Sequence, residues 1–155
     1  MADGSGNTTY SYDQLDRLTT KAAPAGTLSY SYDGAGNLAS ISSNHANGVL
    51  VSYAYDELNR LSTVTDGRLQ GNQTTTYTYD SASNVVLVTY PNSTQGSFTY
   101  DTLNRLTGMT TPASSYSYQV GPTGNRLSVT ESNGRTISWN YDGIYRLTNE
   151  TITGD

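Results

Sequence analysis

Aromatic residues alternate with small or polar ones in short runs along the whole chain. The runs are Tyr10-Ser-Tyr12, Tyr30-Ser-Tyr32, Tyr53-Ala-Tyr55, Tyr77-Thr-Tyr79, Phe98-Thr-Tyr100, Tyr116-Ser-Tyr118 and Trp139-Asn-Tyr141. Side chains alternate with period two along a strand, so both rings of a run share one face. In the second run Leu28 extends that phase backward through Tyr30 and Tyr32. All runs but one are followed by Asp, which opens type I turns by accepting backbone N–H groups on its carboxylate. Three residues later stand Asp16, Gly36, Asn59 and Asn104, types that tolerate the left-handed backbone closing a three-residue loop with a bulge. Ser83 and Tyr145 suit that position less well. The strand then resumes, with a Leu or Val rejoining the ring face and an Arg, where present, turned the other way. Each unit reads as a β-hairpin.

Seven copies of the unit can be aligned. The first holds Tyr10, Tyr12, Asp13, Arg17 and Leu18, and the second Tyr30, Tyr32, Asp33 and Leu38, with Asn37 in place of Arg. Tyr53, Tyr55, Asp56, Arg60 and Leu61 form the third. In the fourth, Tyr77, Tyr79 and Asp80 lead to Asn84 and Val85, and the Arg is again missing. The fifth carries Tyr100, Asp101, Arg105 and Leu106, and the seventh Trp139, Tyr141, Asp142, Arg146 and Leu147. The sixth, with Tyr116 and Tyr118, lacks the Asp and reads as a turn lengthened by three residues before Arg126-Leu127. Successive second tyrosines are 20, 23, 24, 21, 18 and 23 residues apart. Self-similarity at that period predicts a repeat architecture in which each unit packs against its neighbours.

The predicted fold is all-β. It is an antiparallel meander of about 14 strands, two per hairpin, forming a twisted, curled strip. No composition break divides the chain, so 1–155 reads as a single domain, with 1–7 an added or disordered leader. Segments 42–48 and 66–72 read as surface loops. Leu15, Leu58, Leu103 and Ile144 stand inside turns, where apolar residues are unexpected. They are expected to tuck under the neighbouring hairpin and interlock the repeats. Asp and Arg at the two feet of a turn are expected to brace it.

Composition supports sheets over helices. Of 16 aromatic residues, 14 are tyrosine, which offers a buriable ring but needs a partner for its hydroxyl. Only 34% of the chain is hydrophobic, a level seen in disordered chains, yet the regular alternation of rings is not a disordered pattern. The net charge of −5 is mild and the eight basic residues are dispersed, which excludes a nucleic-acid surface. No apolar run is long enough for a membrane span and no signal peptide is present. Cysteine is absent, which removes disulfides, thiolate metal sites and a cysteine nucleophile.

The pattern Tyr-x-Tyr-Asp-x-x-Gly/Asn-Arg-Leu resembles the YD repeat of the RHS family, over about residues 8–150. The resemblance implies a segment of a long β-sheet strip that spirals into a hollow shell. In bacterial RHS and insecticidal toxin-complex proteins the shell encloses a toxic C-terminal polypeptide; the related teneurin shell serves in cell-surface adhesion. It therefore implies a non-enzymatic structural module whose partners are the rest of the parent shell and its payload. The location implied is secreted or cell-surface, within a larger bacterial protein. Seven repeats are too few to close such a shell. The Asp-Pro motifs of its closing segment are absent here.

Candidate chemistry is sparse. His45, the single histidine, sits in a Ser/Asn/Gly loop with no nucleophile or orienting partner supplied by motif. Asp33-Gly34-Ala35-Gly36-Asn37 lacks the closing Glu of a calcium loop, and no Lys follows the glycines near Pro122 as a phosphate loop requires. No catalytic residue, metal site or cofactor is assigned. The tyrosines carry the one alternative, a carbohydrate-binding or adhesive face on which rings stack against sugars. An open sheet with an uncovered face and free edges is also expected to self-associate.

Overall fold

A computed structural model describes residues 6–68, 70 and 73–154. Residues 1–5 of the expected leader, and Leu69, Gly71 and Asn72 of the expected 66–72 loop, lie outside the described residues. The described chain is all-β: fourteen antiparallel strands, hydrogen-bonded in chain order, with no helix among them.

Two compact units divide the chain, residues 1–76 with 90–92 and residues 77–89 with 93–155. The first carries β1 (Thr9–Tyr12), β2 (Leu18–Ala23), β3 (Gly26–Tyr32), β4 (Leu38–Ser43), β5 (Leu50–Tyr55) and β6 (Leu61–Asp66). Strand β7 (Thr74–Tyr79) begins in the first unit and ends in the second. The second continues with β8 (Val85–Thr89), β9 (Gln95–Tyr100), β10 (Leu106–Thr110) and β11 (Ser115–Val120). It ends with β12 (Arg126–Glu131), β13 (Thr136–Tyr141) and β14 (Leu147–Thr153). These segments are rich in Thr, Val and Tyr, whose branched or aromatic side chains fit a pleated, half-buried surface.

Inside each unit the alternation sorts side chains by face. In β3, Leu28, Tyr30 and Tyr32 are half-buried while Ser29 and Ser31 are exposed. In β5, Val51, Tyr53 and Tyr55 are half-buried while Leu50, Ser52 and Ala54 are exposed. Small hydroxyl residues on the outer face pair across strands, as Ser31 and Ser40 do at 2.6 Å. The ring face is covered only in part. Among the described residues the only buried hydrophobic side chains are Val88 and Val129, and no side chain is wholly sealed from solvent. Stability in such a sheet rests on hydrogen-bonded ladders and ring contacts more than on a dry core.

The two terminal strands are the least covered: every residue of β1 and of β14 is exposed. At the hairpin ends away from the repeat turns, the loop after β4 packs on the β2–β3 turn. Asn44 accepts from the Thr27 amide at 2.9 Å and donates its own amide to the Thr27 carbonyl at 3.1 Å, while the exposed His45 ring meets the Ala25 carbonyl. Gly26 lies directly beneath that ring with φ of 139°, so a side chain there would strike it. His45 is thus a loop-packing residue.

Candidate functional site

The turns and the joints between them are the recurring constellation. Around Asp56 the carboxylate Oδ1 accepts the amides of Leu58 and Arg60, both at 2.9 Å, and Oδ2 accepts Arg60 Nε at 2.7 Å. The backbone closes the same turn: Asp56 N donates to the Arg60 carbonyl at 2.8 Å, and Asn59 N to the Asp56 carbonyl at 3.0 Å. Asp13, Asp101 and Asp142 repeat this arrangement with Arg17, Arg105 and Arg146. Asp33 and Asp80 do so with Asn37 and Asn84, whose amide nitrogens take the place of the guanidinium at 3.1 and 3.0 Å. Asparagine is therefore a second kind of brace.

The residue three after the Asp is left-handed in every such turn. Asp16, Asn59, Ser83, Asn104 and Tyr145 have φ between 58° and 68°, and Gly36 has 92°. Ser83 and Tyr145, poor types for the position, adopt it all the same because the carboxylate fixes the loop from both sides. One place further along the strand, a second irregularity shifts the register, as between Ala54 and Tyr55 opposite Leu61 and Thr63.

Copy six differs from its sequence-based reading. Its strand runs on to Val120, which pairs with Arg126 as Tyr12 pairs with Leu18. Gly121 then stands where Asp stands elsewhere, its amide donating to the Asn125 carbonyl at 2.8 Å and receiving, on its own carbonyl, Gly124 N at 3.0 Å. The turn has the ordinary length; the two rings stand two residues further from it. Val120 replaces the second ring, Asn125 occupies the brace position, and Leu127 falls at the irregularity instead of on the ring face. Measured from Val120, the spacings to Tyr100 and Tyr141 become 20 and 21.

Repeats are joined by the second tyrosine. Its hydroxyl donates to the backbone carbonyl at the start of the preceding repeat's return strand. Tyr32 reaches Leu18 at 2.9 Å, Tyr55 reaches Leu38 at 3.0 Å, Tyr100 reaches Val85 at 3.0 Å and Tyr141 reaches Arg126 at 2.8 Å. Burial, with the Asp33 carboxylate as a lesser cause, pushes the Tyr55 phenol up, so it stays a donor. The apolar turn residues do not perform this task. Leu15, Leu58, Leu103 and Ile144 are 66–72% exposed, because donating their amides to the Asp carboxylate holds them at the outer corner of the turn. The sequence carries a signal for the joint: the first aromatic accepts Phe98 and Trp139, whereas the second is Tyr in the six copies that keep a ring at that position.

Braces also bridge from one turn to the next, and here the copies fall into two alternating classes. Copies one, three, five and seven have an Arg brace, while two, four and six have Asn at that position. Arg17 turns toward a ring, not away from it. Arg17 lies over the Tyr32 ring, 4.5 Å from its centroid, and its Nη1 is 3.7 Å from where a Cβ on Gly36 would stand. Arg105 Nη1 donates to the Gly121 carbonyl at 2.6 Å. In the turns that follow Arg17 and Arg105 the left-handed residue is glycine, Gly36 and Gly124. The shorter Asn brace needs an acceptor that reaches back: Asn37 Nδ2 meets Asn59 Oδ1, and Asn84 Nδ2 meets Asn104 Oδ1, each at 3.0 Å. One joint breaks the rule. Asn125 is followed by Tyr145 instead of Asn, its Oδ1 is taken by Thr123 Oγ1 at 2.6 Å, and a groove of about 720 Å³ lies beside it, lined by Trp139, Tyr141 and Tyr145 among others.

Electrostatics follow the hydrogen bonds. Asp13, Asp56, Asp101 and Asp142 are held below the usual carboxylate range, foremost by the amide of their own brace residue; in Asp33 the Asn37 side chain leads. Asp66, outside the repeat turns, drops to about 2 through its Arg68 partner. A like turn at the far end of a hairpin pairs Glu131 with Arg135 Nη1 at 2.9 Å, with Gly134 as the left-handed residue. Among the described residues no three His, Cys, Asp or Glu side chains gather as metal ligands, and no helix is long and apolar enough to cross a membrane.

The recurring Tyr–Asp turn with its latched ring is matched by a family model. The teneurin YD-shell model covers residues 6–152. This chain belongs to the teneurin YD-shell family. Solved structures share its fold: the crystal structure of TcdB2-TccC3 aligns with a TM-score of 0.74 at 18% identity, covering 96% of this chain and 9% of that one. The crystal structure of TcdB2-TccC3-Cdc42 gives a TM-score of 0.68 at the same identity and coverage. The YD-shell segment described here thus spans about a tenth of the length of those chains. A search among curated proteins found no match.

Three outcomes are expected. Tyr55→Phe and Tyr100→Phe each remove one joint and lower unfolding free energy in urea by about 1 kcal/mol, whereas Tyr53→Phe is near neutral. Tyr145→Asn relieves the left-handed strain and supplies the missing acceptor for Asn125, raising stability by about 1 kcal/mol in the same assay. The turn carboxylates bind protons less readily folded than unfolded, so their contribution is complete above the unfolded value near 4 and is lost as pH falls through the lower folded values. Melting temperature should hold steady from neutral pH to about pH 5 and drop below about pH 4, with a shallower drop in Asp56→Asn.

Proposed function

We propose that this chain is a non-enzymatic stretch of wall from a YD-repeat shell that encloses a C-terminal toxin or other payload. The supporting observation is that the same joint recurs from repeat to repeat, with the tyrosine hydroxyl on a backbone carbonyl at four places. A surface specialised for a single ligand needs one joint unlike the others. A wall needs one joint repeated along its length. The toxin-complex structures that share the fold support the same reading. Its partners are then the remainder of a larger parent shell and the enclosed chain, its location is outside the cell or at its surface, and residues 1–155 act as one continuous wall domain. The repeated Tyr, Asp, Arg and Leu positions are structural residues in this reading.

One observation favours a second reading, a carbohydrate-binding surface. At the joint after copy six the bridge is missing and Trp139, Tyr141 and Tyr145 flank an open groove beside Asn140 and Asp142. Aromatic faces beside amides and carboxylates suit a sugar ring.

A graft distinguishes the two. Residues 6–152 replace the matching segment of a toxin-complex shell, and protease digestion of the enclosed toxin is followed. Protection equal to that of the parent shell supports the wall reading. Digestion as fast as in a shell lacking the segment, together with saturable glycan binding abolished by Trp139→Ala, overturns it in favour of the second.

A further inference from the structure

Three departures from the repeat meet at one joint. At the left-handed position of the seventh turn stands Tyr145, with φ of 64°. A bulky aromatic in that region is a backbone outlier, and such residues collect at ligand sites. In the sixth turn, Asn125 has its Oδ1 taken by Thr123, while its Nδ2 donates to no group among the described residues. The third departure is the groove between the two turns, walled by Tyr145 and by Trp139, the one tryptophan of the chain. Trp139 Nε1 donates to Glu150 at 2.7 Å, which fixes the plane of the indole. No residue of β14 lines the groove; its walls are the sixth and seventh turns with β12 and β13.

The other Asn braces show what is missing here. Asn37 Nδ2 meets Asn59 Oδ1 and Asn84 Nδ2 meets Asn104 Oδ1, each at 3.0 Å. At both joints the donor is answered by a carboxamide oxygen, and an Asn side chain is an acetamide held on the backbone. With Tyr145 in place of Asn, the chain supplies no such oxygen. We propose that this groove is a binding site for an acetamido group carried on a pyranose ring, that is, for an N-acetylhexosamine. The acetamido carbonyl accepts from Asn125 Nδ2, and the apolar face of the pyranose packs on the rings of Trp139 and Tyr145. Charge selects a neutral ligand. Asp142 is the only charged residue of the lining, and its oxygens already accept Ile144 N, Arg146 N and Arg146 Nε. An anionic ligand would find no cation in the lining to pair with. The assignment rests on the sugar-surface reading of this groove and leaves the other joints as wall.

Trp139 supplies the readout, since emission of the single indole reports what enters the groove. The full chain is titrated with methyl N-acetyl-β-D-glucosaminide and with methyl β-D-glucoside, which differ only in acetamido against hydroxyl. The first should bind about tenfold tighter, the worth of one hydrogen bond. Tyr145→Asn, which supplies the internal acceptor, should lose that binding while raising stability, so unfolding does not explain the loss. Tyr145→Gly removes the ring without supplying an acceptor and should keep the preference at weaker affinity. Asn125→Asp, which has no amide donor, should erase the preference. Equal binding of the two glycosides overturns the acetamide assignment and leaves the sugar-surface reading standing. Binding of neither overturns both, and binding unchanged in Tyr145→Asn overturns the assignment. Protease protection by the grafted wall is independent of each of these outcomes.

Discussion

A tyrosine that covers a sheet must still place its phenol oxygen, and in this chain that requirement organises everything else. The ring supplies apolar area on one face while the hydroxyl must find an acceptor at its end. A backbone carbonyl of the preceding repeat provides it, at a point where the register shift near the turn leaves the ladder irregular. Packing and hydrogen bonding are thereby met by the same side chain, and the joint demands no dry core. This accounts for a described structure of fourteen strands in which two valines are the only buried hydrophobic side chains.

The Asp turn serves that joint. Two amides and a brace converge on one carboxylate, so the position of the returning strand, and of its carbonyl, is set within a few residues of the ring that the next repeat must place. Polar interactions of this kind are individually modest. Their weight comes from fixing geometry at short range, repeatedly, along a sheet that otherwise has little to define its register.

Much of the architecture was legible in the residue pattern: Tyr-x-Tyr set the strands and faces, Asp set the turns, and the recurrence set the number of strands. What escaped reading depends on atoms that a hydropathy pattern does not see. Leu15, Leu58, Leu103 and Ile144 look like interlocks by polarity, yet their amides, not their side chains, are what the turn uses. Copy six misled because Tyr118 matched the motif by type, while pairing geometry gave the place to Val120. The alternation of Arg and Asn braces was open to view in the sequence, but it has meaning only once the reach of each side chain to the next turn is known.

That alternation changes what counts as the repeating unit. By the ring count the period is near twenty residues; by the fit of braces to left-handed residues it is two hairpins, four strands, with Tyr12, Tyr55, Tyr100 and Tyr141 one unit apart. Removing one internal hairpin from this chain would bring two braces of the same kind to adjacent turns. The loss of a single one leaves an Arg facing an amide or an Asn facing a glycine at the scar. The joint after copy six keeps the order of braces, Asn125 then Arg146, and departs only in the left-handed residue, Tyr145 where Asn59 and Asn104 stand after the other Asn braces.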